Sequence, residues 1–211
     1  MQSNWASENL QVIRTLMERS ALYRRALAPI MLTVGLIGLA AGTAGYLLKI
    51  NFFPNFILLW LATSVIALIC SFLLVRRQAF KEKESFWSPP TRRVAHALAP
   101  PLFAGLVLSL LNLFSAAEKF IWPIQPWALP AIWMILYGCA LHSAGFFMSR
   151  GVRFFGWIFV FFGLISLLVK MFSTAVPTIA SGNIWMGVVF GGLHLAYGIY
   201  LSFTEKKNFA A

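Results

Sequence analysis

Aspartate does not occur in this chain, and acidic groups of any kind are few. All six acidic residues are glutamates, Glu8, Glu18, Glu82, Glu84, Glu118 and Glu205, and each falls in a tail, a loop or the end of an apolar run. A carboxylate buried in hydrocarbon, the common means of coupling a membrane protein to protons or cations, is therefore missing. The same gap excludes paired catalytic carboxylates, a Ser-His-acid set and an HExxH metal motif, and no phosphate-binding glycine loop can be assembled. The sequence reads as non-enzymatic. Cysteine is as scarce: Cys70 and Cys139 both lie inside apolar runs, which excludes a disulfide framework or a CxxC site and leaves packing as their role.

What is present is hydrocarbon. Hydrophobic residues make up 60% of the chain and charged ones only 11%, with a mean hydropathy of +0.78, which is the composition of an integral membrane protein. The apolar runs predict an all-α polytopic fold with six spans, at about 27–48, 56–75, 97–116, 128–148, 154–172 and 184–203. Pro100 and Pro101 fall in the first turn of the third span, where a missing amide hydrogen costs little. Residues 76–95 form a basic loop, 117–127 an external link, and 204–211 a tail. The first 25 residues lack the pattern of a signal peptide. Between Ser7 and Arg25, Leu10, Ile13, Met17 and Ala21 recur at helical spacing, which suits an amphipathic helix in the headgroup plane or packed on a cytoplasmic loop.

The formal charge of +11 does not call for nucleic acid, because its placement tracks the membrane. With the amino terminus inside, four basic residues in the tail, six in the long loop, Arg150, Arg153, Lys206 and Lys207 fall on the cytoplasmic side. Only Lys49, Lys119 and Lys170 fall outside. This bias places both termini in the cytoplasm.

A displacement of 100 positions lays IGLAAGTAGY at 37–46 on YGCALHSAGF at 137–146, matching Gly38, Ala40, Ala44 and Gly45 to Gly138, Ala140, Ala144 and Gly145. Three spans per copy is an odd number, so a second copy must cross in the opposite sense. Residues 26–116 and 128–203 then form two inverted three-helix repeats, an arrangement used by transporters with the site at the midplane between copies.

The polar groups available to such a site are Asn112, Tyr137, His142, Ser143 and His194. Ionisable groups in hydrocarbon are costly and mark function, although each imidazole can equally serve one interhelical hydrogen bond. His142 and His194 differ in depth by about 4 to 5 Å on an ideal helix, which also admits one metal or the two faces of a haem. Gly38, Gly42 and Gly45 on the first span, with Gly187 and Gly191 on the sixth, form rows that let helix backbones approach within the bundle or between two copies of the chain. In the loop, Arg76, Arg77, Lys81, Lys83, Arg92 and Arg93 stand beside Phe86 and Trp87, a surface for anionic lipid or for a cytoplasmic partner.

With SALYRRALAPIM before the first span and GGLHLAYGIYLSFTEKK at the end, the chain is similar to small six-helix bacterial inner-membrane proteins that carry no assigned activity. The resemblance implies that location and no functional residue. The sequence thus points first to a small permease or channel-like component, next to an accessory subunit in a homodimer or larger membrane complex, and third to a haem-bearing redox subunit.

Overall fold

A computed structural model describes residues 26–83, 85–117, 124–173 and 177–209. The expected amphipathic helix and most of the external link lie outside the described residues. Among those residues every regular element is helical: α1 (Ala26–Leu47), α2 (Phe53–Lys81), α3 (Pro89–Ala117), α4 (Leu129–Ala144), α5 (Arg150–Phe172), α6 (Ile179–Met186) and α7 (Leu193–Phe209). A π-helical turn, Gly187–Gly192, joins α6 to α7 in one rod.

Five of these rods are long and apolar enough to cross a membrane: α1, α2, α3, α5 and Ile179–Thr204. The fourth expected span is shorter than its apolar run. α4 has 16 residues, about 24 Å at 1.5 Å per residue, and the chain turns at Gly145 where the apolar run continues to Met148. The basic loop also contracts. α2 continues through Arg76 and Arg77 to Lys81, and α3 begins at Pro89, so Pro100 and Pro101 lie well inside α3 rather than in its first turn. A charge marks where hydrocarbon stops, whereas a helix stops where its backbone hydrogen bonds do. Here Lys49 and Lys83 take left-handed φ of 52° and 54° to end α1 and α2. Beyond α1 the Ile50 amide reaches back to the Gly45 carbonyl at 3.0 Å, the six-to-one bond of a helix C-terminus whose usual glycine is here a lysine.

Two glycine seams position everything else. Along the first, α1 runs antiparallel to the α6–α7 rod: Gly35 faces Leu195, Gly38 faces Gly191, Gly42 faces Gly187 and Gly45 faces Asn183. A Cβ on Gly42 would stand 2.6 Å from the Gly187 Cα, so these backbones touch. Along the second, α4 runs antiparallel to α5, with Gly138 on Gly156 and Gly163 on the Ala131 carbonyl. Gly38 and Gly138, matched by the displacement of 100, thus meet partners at non-equivalent places: the last rod for one, the helix directly following for the other.

Between the seams lies one core, centred on Phe56, Ile57, Trp60, Met134, Phe155, Phe159, Met186 and Val189. α2 contributes mainly through its first two turns. Beyond Trp60 many of its apolar side chains, Val65, Ile66, Ile69 and Phe72 among them, are exposed, although Leu61 packs on the core and Ala79 is buried. A smaller cluster of Val94 and Ala144, packed by Val75, Ala97, Leu98 and Met148, fastens the start of α3 to the end of α4.

Candidate functional site

His194, 1% exposed, is the one buried ionisable residue of the expected site, and it sits two residues past the π-helical turn. GVVFGG distorts readily, because glycine and β-branched valine both weaken the regular α-helical ladder. The His194 Nδ1 contacts the Phe190 carbonyl within that turn, and Nε2 lies 2.7 Å from the Tyr137 hydroxyl on α4. A carbonyl can only accept, so Nδ1–H donates to it. In the neutral ring Nε2 then accepts from Tyr137 Oη–H. The tautomer is set by the partners.

The surroundings are aromatic. Phe155 meets the imidazole edge-on at 5.1 Å, Phe159 lies at 5.3 Å, and Tyr197 stacks on Phe155 at 4.7 Å. Burial in such a shell makes an unpaired polar atom expensive, so the Tyr137–His194 bond latches α4 to the α6–α7 rod. The pair can exchange its mutual bond for one to a guest. Because both His194 nitrogens are engaged, ligation of a metal or haem iron at this residue would require Tyr137 to let go.

The other expected residues lie elsewhere. His142 is half-buried between α4 and α5, edge-on to Phe146 at 5.3 Å and Trp157 at 5.5 Å, with Nδ1 3.5 Å from the Arg153 carbonyl. Each imidazole therefore has its own set of partners. Asn112 is fully buried at the far end of α3, donating to the Leu108 carbonyl at 2.9 Å and accepting the Ile124 amide at 3.3 Å, which fastens Ile124, just before α4, to α3. Ser143 is half-buried and Cys139 is exposed, so Cys139 is not a packing residue within the chain.

The sequence reading passed over Asn183, fully buried at the other end of the α6–α7 rod. Its Oδ1 accepts the Trp60 indole N–H at 3.1 Å, and its Nδ2 donates to the Ile50 carbonyl at 3.2 Å. It fell in what read as a linker. The signal was its register, since Asn183, Gly187, Gly191 and His194 follow at four, four and three residues and share one helical face. Ser109 was also missed: it accepts the Trp133 indole N–H at 3.0 Å and donates its hydroxyl to the Gly105 carbonyl at 2.7 Å. Comparison with known proteins adds no relative: no family model, no curated protein and no solved structure matches this chain.

Proposed function

We propose that this is an integral protein of a bacterial inner membrane, its basic end facing the cytoplasm, that works as a small permease or channel-like component with Tyr137 and His194 at its polar site. One observation carries the reading: a buried, ionisable imidazole is bonded into a π-helical turn between two apolar helices. Such turns gather at functional sites, and interrupted helices supply the moving parts of transporters. The conformation described is closed around the pair. Opening lengthens or breaks the Tyr137–His194 bond, and the α6–α7 rod bends at Gly187–Gly192 to do so.

The test is flux into proteoliposomes holding the full chain, with proton, alkali-cation, halide and small neutral solute gradients tried in turn. His194→Ala should abolish the flux found for the wild type while leaving insertion intact. Tyr137→Phe, which keeps the ring but leaves Nε2 without its donor, should change the rate by about tenfold, as loss of about 1.4 kcal/mol does. Wild-type vesicles tight to every gradient would sink the proposal. A second reading, an accessory subunit, draws on the exposed apolar face of α2 and on the Phe72–Phe86–Trp87 stack at its end. It requires a stoichiometric partner that is lost when residues 79–90 are deleted.

A further inference from the structure

The basic end of the bundle carries two grooves that the permease reading does not use. We propose that the groove between α3 and the α4–α5 turn holds the phosphodiester headgroup of an acidic phospholipid, with Arg92, Arg93 and His96 as donors. Its volume is about 560 Å³, and its lining is Pro89, Arg92, Arg93, His96 and Ala97 on one side and Phe147 on the other. The first five follow at helical spacing and form a single face of α3. Phe147, 43% exposed, comes from the turn after α4 and stands as the second wall. The Val94–Ala144 cluster keeps the two walls together.

Charge and depth select the occupant. Among the described residues no carboxylate pairs with Arg92 or Arg93. Arg153 adds positive charge beside the turn, its guanidinium lying over the Phe146 ring at 5.0 Å. A guanidinium matches two phosphate oxygens at once, and basic pockets between membrane helices suit anionic headgroups. The apolar run of α3 starts at Ala97, directly after the three donors, so they stand at the level where lipid phosphates end and acyl chains begin. Ala97 and Phe147 give the glycerol and upper acyl chain an apolar seat that a soluble anion would not need.

The second groove is an internal control. It has about 530 Å³ and is lined by Leu73, Arg76, Arg77, Phe80 and Lys81, all from α2, so it has no second wall. Its Arg76 guanidinium already lies over the Phe80 ring at 5.4 Å.

The experiment is native mass spectrometry of the full-length, delipidated protein titrated with phosphatidylglycerol or phosphatidylcholine. One phosphatidylglycerol should be retained at least about tenfold more tightly than phosphatidylcholine, and Arg92→Gln/Arg93→Gln should lose about tenfold. Arg76→Gln/Arg77→Gln removes the same charge and should lose less than about twofold. Equal losses in the two double variants would mean diffuse attraction and overturn the site. Displacement of the lipid by millimolar inorganic phosphate would identify a soluble anion and overturn the lipid assignment. If the Arg92/Arg93 variant does not fold, His96→Gln decides, because undiminished phosphatidylglycerol retention there would equally refute the groove.

Discussion

Valine at Gly191 will open the seam between α1 and the α6–α7 rod, whereas alanine at the adjacent Gly192 will be tolerated. A Cβ on Gly191 would meet the Leu39 amide nitrogen and lie 2.9 Å from the Gly38 carbonyl carbon, both backbone atoms of a helix that cannot swing aside as a side chain can. Around Gly192 nothing lies within 4 Å of the same added atom. Overpacking a close contact costs about 3 kcal/mol at the upper end of its usual range. Gly192 is half-buried with open space at its Cβ position, and glycine replaced by alanine in a helix shifts stability by about 1 kcal/mol or less. Thermal or denaturant unfolding in detergent should therefore separate two variants made at neighbouring positions. Equal midpoints would show that the backbones do not touch there.

Leucine at Asn183 should be nearly as damaging for a different reason. The change removes the acceptor of the Trp60 indole N–H and the donor to the Ile50 carbonyl in one step, and it sets a branched side chain against Gly45, whose own Cβ would lie 2.6 Å from the Asn183 Cγ. Each buried group left unpaired costs about 1 to 3 kcal/mol. Interhelical bonds in membranes fall toward the low end, so the sum for both groups is about 2 to 3 kcal/mol. A double-mutant cycle with Trp60→Phe checks the assignment. Removing the indole N–H should make Asn183→Leu less costly by about 1 kcal/mol, and strict additivity would mean that the bond contributes nothing.

Most of the helical layout could be read from the sequence because hydropathy reports depth, and depth is what places a span. Its errors have one cause. Arg76 and Arg77 end the apolar run without ending α2, while α4 stops at Ala144 although the apolar run goes on, because backbone hydrogen bonding and hydropathy end at different places. Within the site, Tyr137 and His194 were both visible as polar groups in apolar runs, but their partnership was not. They are 57 residues apart, on helices that belong to different glycine seams. His142 and Asn112 looked equivalent to them and serve other junctions, one between α4 and α5 and one at the link before α4. Asn183 was lost because the span was begun at 184, five residues after the helix starts at Ile179, although it shares a helical face with Gly187 and His194.

The first seam also sets an order of events during synthesis. Gly38 and Gly42 lean on Gly191 and Gly187, which are made only after α2 through α5, whereas Gly138 finds Gly156 within the next few turns of chain. At about 5 to 20 residues per second, α1 waits on the order of ten seconds for the surface it fits. During that interval its glycine face has no match in the nascent chain, and the α4–α5 pair assembles first although it is translated later. A ribosome stalled before α6 would thus leave α1 as the exposed element, and a second nascent copy offers it the same smooth face.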